Sequence, residues 1–369
     1  MAVHIERLEI AKFKGILDLN IKDLNHINII AGDNNVGKTS ILEAIMLFRR
    51  PDKFENILQA TSSRSRSAFG RYYEGLVSIF PKGLSDLEML VAGVYKDKTI
   101  CVNLKGETGD VFLTQEDMMR ASHSPAQRAH ALSRPDGIRV SLFQGVLSGN
   151  ASVGTFSFSV ELDAFTRPPN MLGIKNHAHV NISYLSPAAH ITQPVFDNIV
   201  GDDGYKNICI QVLKTFDHDI EDLLYLKDEL TGRPQEYVKH ATLGNMPLSS
   251  YGDGIRKVLS LAGGVAKAKD GILLIDEIET SLYIKYYSDI FQFLIKACRA
   301  FNVQLFITTH SIEAIDALLK AQSDAGFKDE GISVITLQKE TAVGPTYCRV
   351  LPGRRVANNR ENFRFEARA

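Results

Sequence analysis

The sequence lacks the features of several protein classes. Its four cysteines, at positions 101, 209, 298 and 348, lie far apart and form no CxxC pair, so neither a zinc site nor a disulfide framework is indicated. No apolar run approaches the roughly 20 residues that span a bilayer. The amino terminus also has no apolar core of signal-peptide length. We therefore expect a cytoplasmic protein with reduced thiols and no membrane association.

An excess of one charge is lacking as well. The chain has 42 Lys and Arg against 43 Asp and Glu, a net charge of −1 at pH 7. No global field therefore attracts nucleic acid or a membrane surface, and any basic surface must be local. We find no internal repeat and no heptad run long enough for a coiled coil. The 369 residues suit one large α/β core with insertions, or two ordinary domains.

Apolar periodicity predicts most of the secondary structure. The first fifty residues indicate two strands, a loop and a helix. The remaining predictions are strands at 88–104 and 153–166, an acidic helical region at 195–230, helices at 252–268, 284–300 and 311–321, strands at 271–276 and 303–309, and a β pair at 332–351.

The strongest motif is GDNNVGKTS, which begins at Gly32 and satisfies the pattern G-x-x-x-x-G-K-[ST] between a buried strand and a helix. Glycines let the backbone curl around an anion, and the helix amino terminus adds the positive end of its dipole. Lys38 is predicted to reach the β- and γ-phosphates, and the Thr39 hydroxyl to bind magnesium. The alternative is a glycine turn before an ordinary helix. The predicted nucleotide contacts here are Gly32, Asn34, Asn35, Gly37, Lys38, Thr39 and Ser40.

A second motif, GILLIDE, ends in two acids. Its apolar run predicts a buried parallel strand whose carboxyl end opens at a ligand crevice. Asp276 is predicted to hold magnesium, and Glu277 to polarise the attacking water as a general base. An exposed strand end is the alternative when the motif stands alone.

Two further segments are predicted to place polar groups beside a bound phosphate. In LSSYGDGIRK, the serine and glycines predict free N–H groups and a hydroxyl at a helix amino terminus, a second anion site. The predicted nucleotide contacts there are Ser250, Gly252 and Asp253, and the alternative is an ordinary helix cap by Ser250. The strand VQLFITTH ends at His310, which is predicted to contact the γ-phosphate unless it is only a polar strand-end residue.

In order and spacing, GDNNVGKTS, LSSYGDGIRK, ILLIDEIETSLY and FITTHS resemble the Walker A, signature, Walker B with D-loop, and switch-histidine motifs of ABC-type ATPase heads. The resemblance is to the OLD, RecF and SMC branch, and the form S-x-G-D-G-I-R is similar to the OLD-like members. It implies a two-lobed α/β head with a mixed central sheet, a flanking antiparallel sheet and a helical lobe. It also implies a homodimer, or a higher even-numbered oligomer, joined through ATP and Mg²⁺.

The sequence departs from the OLD-like pattern in two places. Thr280-Ser281-Leu282-Tyr283 stands where these relatives usually show Asn-Gly-Leu-His. The segment after His310 is too short for a Toprim nuclease domain and lacks its acid cluster, so we expect that the chain is not itself a nuclease. The position of the Q-loop is left open between Gln59 and Gln115.

The resemblance also implies a division of the chain. Residues 1–115 and 151–195 are expected to form the amino-terminal part of the head, 116–150 an insertion, 196–247 the helical lobe, 248–351 the carboxyl-terminal part, and 352–369 a basic tail. The arginine-rich tail could dock a partner or DNA, or be a mobile end. A basic stretch with aromatics could contact nucleic acid or be a solvated loop; it comprises Arg64, Arg66, Arg71, Tyr72 and Tyr73.

The expected activity is hydrolysis of ATP. Compact OLD-like ATPases without a nuclease domain resemble the sensor subunits of anti-phage systems such as PARIS, Septu and retron-associated modules, which implies a separate effector protein as partner. The alternatives are a RecF-like DNA-binding repair clamp and a slow-turnover scaffold held together by ATP. A mechanical AAA+ motor is disfavoured, because the signature serine and strand-end histidine belong to the other design.

Overall fold

The computed structural model describes residues 3–62, 71–122, 125–151, 154–165, 180–227, 232–324, 331–341, 344–363 and 366–367. Arg64 and Arg66 of the basic stretch lie outside these ranges. In the described ranges, no helix combines the length and the apolar character needed to cross a bilayer.

The strands belong to three sheets and are numbered in chain order. They are β1 (Ile5–Phe13), β2 (Ile16–Ile21), β3 (Ile27–Ala31), β4 (Leu87–Tyr95), β5 (Lys98–Leu113), β6 (Ile138–Ala151), β7 (Gly154–Asp163), β8 (Ile182–Leu185), β9 (Ile220–Lys227), β10 (Pro234–His240), β11 (Gly244–Pro247), β12 (Ile272–Ile275), β13 (Gln304–Thr308), β14 (Ile332–Lys339) and β15 (Thr346–Pro352).

The helices flank these sheets, and three 3₁₀ turns adjoin them at Leu47–Arg49, Leu248–Ser250 and Ile284–Tyr286. The α-helices are α1 (Lys38–Met46), α2 (Phe54–Ser62), α3 (Arg71–Val77), α4 (Gln115–Ala121), α5 (Pro125–Leu132), α6 (Ala189–Thr192), α7 (Asp203–Leu213), α8 (Asp253–Lys267), α9 (Tyr287–Ala300), α10 (Ile312–Asp324) and α11 (Gly353–Phe363).

The central sheet has the strand order β15-β14-β3-β13-β12-β8. Its strands run parallel from β14 to β8, and β15 is antiparallel at the edge. A second sheet, β2-β1-β4-β5-β6-β7, is antiparallel throughout. The predicted α/β fold with a mixed central sheet and a flanking antiparallel sheet is therefore confirmed.

Strands β3, β12 and β13 are buried along their whole length because they divide two cores. On β3, Ile29 packs into the core that holds α8, α9 and α10, whereas Ile30 packs into the core shared with the antiparallel sheet and α1. Leu273 and Leu274 of β12 divide in the same way. The sheet is thus covered on both faces, and only the ends of its strands are open to a ligand.

One buried glutamine joins the two large sheets. Gln304, at the start of β13, is 0% exposed. Its Oε1 accepts hydrogen bonds from the backbone N–H groups of His4 at 3.0 Å and Ile5 at 2.7 Å. Its Nε2 donates to the carbonyl oxygens of Ile5 and Asn25, each at 2.9 Å. Four buried polar groups are satisfied by this side chain, so it fixes where the antiparallel sheet begins.

The helical interpretation of residues 195–230 is wrong over β9. In the described part of this region, helix is confined to α7, and β9 pairs with β10, which pairs with β11, in an antiparallel sheet. The segment around Ile220 and Leu223 fits both periods, because its apolar residues also suit the spacing of a helix. Both side chains are buried in the core that holds α8 and α9, and the pairing of β9 with β10 has a register irregularity between Lys239 and His240.

The expected insertion at 116–150 and the expected basic tail also contain regular structure. Strand β6 begins at Ile138 and pairs with β5 and β7; its serines, glycines and glutamine hide the alternation. Helix α11 forms in the tail, where Val356 is buried and Arg360 forms an ion pair with Asp316 of α10. The Thr336 hydroxyl donates to the carbonyl oxygen of Ala367 at 2.7 Å. The tail therefore packs on the head over these residues.

The Gln304→Leu variant should be strongly destabilised. Leucine keeps the volume but removes the side-chain partner of the His4 and Ile5 N–H groups and of the Ile5 carbonyl, at about 1–3 kcal/mol for each buried group left unsatisfied; the Asn25 carbonyl still accepts from Asn28 Nδ2. We expect a loss of about 3 kcal/mol or more in the free energy of unfolding, measured by chemical denaturation. Gln144→Leu on β6 is the matched control, since its Nε2 donates only to the exposed side chain of Glu161. Equal stabilities of the two variants would contradict the account.

Candidate nucleotide-binding site

The carboxyl ends of the parallel strands meet at one edge of the central sheet. Ile275 of β12 pairs with Leu185 of β8 and with Ile307 of β13, and Ile307 pairs with Ile29 of β3. The residues that follow these strands therefore share one edge. This is where open α/β sheets bind their ligands.

The loop between β3 and α1 needs glycine at two positions. Gly32 has φ of 140°, and a Cβ there would lie 3.0 Å from the carbonyl oxygen of Leu337. Gly37 has φ of 105°, and its Cβ would lie 3.0 Å from the Ile16 side chain. Gly37 is the N-cap of α1 and provides no side-chain cap. The first N–H groups of α1 are thus arranged to bind an anion rather than a capping side chain.

Lys38 lies across this loop. Its Nζ donates to the carbonyl oxygens of Gly32 and Asp33, each at 2.7 Å. Burial lowers the pKa of the Lys38 ammonium, and nearby carboxylates, led by that of Glu279, partly offset the effect. A half-buried cation at the amino end of a helix suits contact with a phosphate group.

Asp276 is held by hydroxyl groups from three elements. The Thr39 hydroxyl of α1 donates to it at 2.9 Å, the Thr308 hydroxyl of β13 at 2.6 Å, and the Tyr184 hydroxyl of β8 at 3.3 Å. Asp276 is 1% exposed. A carboxylate beside a threonine hydroxyl is an all-oxygen donor set, which Mg²⁺ prefers. The residues present therefore fit a magnesium ion held by Thr39 and Asp276.

Glu277 follows in a left-handed backbone conformation, with φ of 49°. Its backbone N–H donates to the Thr308 hydroxyl at 2.8 Å, and its Oε2 accepts from the Thr280 hydroxyl at 3.4 Å. Non-glycine residues rarely adopt this conformation, and such strain is concentrated at functional sites. The turn directs the Glu277 side chain away from the path that a continuing strand would give it.

His310 lies just beyond β13, with 54% of its side chain exposed. Its Nδ1 lies 3.0 Å from Oε1 of Glu279, and its backbone N–H donates to the same oxygen at 2.9 Å. Backbone bonds from Ile278 to Thr308 hold the two segments side by side. The predicted histidine is therefore at the same sheet edge as Asp276.

The signature segment differs from the helix cap considered as an alternative. Ser250 lies in a separate 3₁₀ turn, and α8 begins at Asp253 with Gly252 as an N-cap that makes no side-chain hydrogen bond. The Ser250 cap is therefore wrong. Ser250, Gly252 and Asp253 are exposed. In the part of the chain that the structure describes, no hydrogen bond or ion pair joins these three residues to the phosphate loop.

Sequence reasoning missed four residues of this site. Thr308 and Glu279 stand two positions from His310 and Glu277, so their nearness in sequence was a usable signal. Tyr184 and Lys257 come from β8 and α8, and only the strand order and the packing of α8 bring them to Asp276. No local pattern marks Tyr184, and Lys257 ends the segment LSSYGDGIRK without a role that the sequence assigns to it.

Lys257 is a second buried cation near the acids. It lies on α8 and is 2% exposed. Burial lowers the pKa of its ammonium from 10.5 to about 8, although the carboxylates of Glu279, Asp276 and Glu277 act in the opposite direction. The carboxylates of Glu279, Asp276 and Glu277 therefore act on the ammonium groups of both Lys38 and Lys257, and perturbed ionisable groups of this kind are concentrated at functional sites.

The fold and the site define a phosphate-loop nucleotide-binding protein, and family comparisons agree. Residues 169–316 match the family described as AAA domain, putative AbiEii toxin, Type IV TA system. Residues 4–128 match the family described as AAA ATPase domain. The two matches contain the Walker B acids with His310 and the phosphate loop, respectively.

The curated relatives are similar to this chain either over a short stretch or at low sequence identity. An ATP/GTP phosphatase of Helicobacter pylori is 22% identical over 344 residues, covering 85% of this chain and 87% of the relative. A DNA replication and repair protein RecF of Lactobacillus delbrueckii is 24% identical over 135 residues, which is 34% of each chain. Uncharacterized protein MJECL10 of Methanocaldococcus jannaschii is 54% identical over 44 residues, and the match spans only 12% of this chain and 20% of the relative.

The fold is also that of a solved SMC head. The crystal structure of the SmcHead bound to the C-winged helix domain of ScpA is similar, with a TM-score of 0.51 and 13% identity, covering 96% of this chain and 100% of that chain. The chain is thus similar to AAA ATPase domains over residues 4–128 and 169–316, and it has the fold of an SMC head.

Replacing Lys257 by methionine should stabilise the protein without nucleotide and magnesium. The folded state disfavours the charged ammonium, so the cost is full below pH 8 and disappears as the pH rises toward the unfolded pKa of 10.5. We expect Lys257→Met to raise the free energy of unfolding by about 2–3 kcal/mol at pH 7, and by much less at pH 10. Chemical denaturation at the two pH values measures this.

The control is Lys296→Met, since Lys296 is exposed on α9. It should change stability little at either pH. A Lys257→Met protein that is less stable than wild type at pH 7 would show that the ammonium stabilises the empty site.

Proposed function

We propose that this chain is an ATP-hydrolysing switch that dimerises around ATP and Mg²⁺ and controls a separate effector protein. The observation that carries the proposal is the network around Asp276, which joins the phosphate-loop hydroxyl of Thr39 to the strand end that bears Glu277. A nucleotide γ-phosphate on this loop would lie beside a metal-binding carboxylate and an adjacent general base. The family match to ATPase domains supports the same reaction.

Each residue has a distinct task in the proposed reaction. Glu277 accepts a proton from water as the water oxygen bonds to the γ-phosphorus. The bond from that phosphorus to the bridging oxygen breaks, and its electron pair stays on the β-phosphate of ADP. Lys38 and the loop N–H groups stabilise charge on the transferring group. A magnesium ion held by Thr39 and Asp276 would neutralise phosphate charge when bound.

Dimerisation is proposed because a second copy would cover two exposed features of the chain. Ser250 and Gly252 are exposed at a helix amino terminus that no side chain caps. The segment after the Walker B acids also exposes large apolar side chains, with Tyr283 67% and Ile284 53% exposed. A head-to-tail pair would cover both features, placing the signature segment of one copy on the nucleotide of the other. Head dimers and higher even-numbered oligomers both satisfy this arrangement.

The effector role extends the proposal to anti-phage defence in the cytoplasm. The family matching residues 169–316 has a toxin–antitoxin system in its description, and the similar SmcHead was solved with a bound partner domain. These similarities favour a protein, rather than a membrane, as the binding partner. The four cysteines are free, as suits a reducing compartment.

A RecF-like clamp on DNA is the second candidate, favoured by the similarity to RecF. Two aromatic residues of the basic stretch that was expected to contact nucleic acid pack against the core instead. Tyr72 is 9% exposed in the core under the antiparallel sheet, and Tyr73 packs against the same core. These two rings are therefore engaged in packing rather than open for base stacking.

Glu277→Gln should stop turnover and trap the dimer. The amide cannot accept the proton from water, so we expect the steady-state ATPase rate to fall about 100-fold or more. ATP binding should persist, and an ATP-dependent dimer should accumulate in light scattering. Glu340→Gln, an exposed change at the end of β14, is the control. A Glu277→Gln protein that hydrolyses ATP at the wild-type rate would contradict the assigned role.

The trapped Glu277→Gln protein also serves as bait in lysate of its own host. Mass spectrometry and nucleic-acid extraction of the eluate separate the two candidate functions. Recovery of a protein encoded by a neighbouring gene, absent from the wild-type eluate, would support effector control. Recovery of DNA alone would support the clamp instead.

A further inference from the structure

A carboxylate that the proposed reaction does not use lies beside the switch histidine. Glu279 follows Glu277 by two residues, and its side chain is 10% exposed. One oxygen, Oε1, accepts from the backbone N–H of His310 at 2.9 Å and lies 3.0 Å from Nδ1 of the same residue. The same atom therefore contacts both the backbone and the ring of one histidine.

We propose that Glu279 is a positioning residue that orients the ring of His310 toward the nucleotide. This inference rests on the proposed function, because His310 matters only if a γ-phosphate binds at the sheet edge. An exposed imidazole would otherwise rotate about two side-chain bonds. With Nδ1–H donating to Glu279, the ring is held, and Nε2 is the acceptor nitrogen of the neutral form.

The carboxylate of Glu279 also interacts electrostatically with the signature helix. Oε2 is buried, and no hydrogen bond reaches it among the described residues. The carboxylate lies in the field of the Lys257 ammonium, for which Glu279 is the strongest acidic influence. Lys257 is on the second turn of α8, whose amino end is the signature segment. Glu279 thus contacts the switch histidine directly and interacts electrostatically with Lys257, on the helix proposed to contact the other copy's nucleotide.

In a purely structural role, Glu279 would act only by accepting the hydrogen bond from the backbone N–H of His310. The carboxylate would then hold the loop after β13, and the ring of His310 would add nothing. The two roles differ in what happens when the imidazole is removed first. If Glu279 acts through the ring, its loss should matter little once the ring is gone.

A double-mutant cycle on ATP turnover tests this. We expect Glu279→Ala to lower kcat about 10-fold with KM for ATP changed less than about twofold, and His310→Ala to lower kcat at least as much. The double variant should be no slower than His310→Ala. Glu279→Gln keeps the acceptor oxygen and should retain most of the rate. Multiplicative losses in the double variant, or a glutamine variant as slow as the alanine variant, would overturn the proposal.

A second readout does not depend on turnover. In protein labelled with ¹⁵N-histidine and free of nucleotide, NMR should show the proton of neutral His310 on Nδ1, with the signal assigned by its loss in His310→Ala. In Glu279→Ala the proton should shift to Nε2, the form preferred by unrestrained histidine. An unchanged tautomer would overturn the proposal. If wild type hydrolyses no more ATP than Lys38→Ala, the proposed function fails, and the tautomer alone decides the role of Glu279.

Discussion

The site depends on how one buried carboxylate is satisfied. Asp276 accepts hydrogen bonds from hydroxyl groups on α1, β13 and β8. A buried carboxylate without such partners would cost several kcal/mol, so these three elements are held together at the sheet edge. One of the hydroxyls, that of Thr39, belongs to the phosphate loop, and another, that of Thr308, also accepts from the backbone of Glu277. The proposed metal ligand therefore also orders the proposed base.

The layers around the central sheet support this arrangement. Both faces of the parallel strands are buried, so α1 and α8 approach from opposite cores while the strand ends stay open. The phosphate loop and the proposed base belong to one copy. Ser250 and Gly252 are exposed, so in the proposed dimer the signature segment is available to the other copy. Glu279 bonds to His310 and interacts electrostatically with buried Lys257 on α8, the helix that follows the signature segment.

Features encoded in short segments were predictable from the sequence, whereas contacts that depend on how distant segments pack were not. The phosphate loop was predictable because a strand, two glycines and a lysine suffice for it, and φ at Gly32 and Gly37 shows why glycine is needed. The ends of β12 and β13 were predicted to within two residues. Residues 220–227 were misread because their apolar spacing fits two periods. Tyr184 reaches Asp276 only because β8 pairs with β12. The functional roles of the site residues stay predictions.

The central claim is that two copies complete each catalytic site, and mixing two inactive variants tests it most directly. Lys38→Ala removes the phosphate-loop cation, and Ser250→Arg blocks the signature segment. Each variant alone should lack ATPase activity. In a mixture, a dimer of one copy of each has one site with an intact loop and an intact signature, so activity should return in part. A mixture that forms mixed dimers yet stays inactive, or a Ser250→Arg protein that is fully active alone, would contradict the shared site.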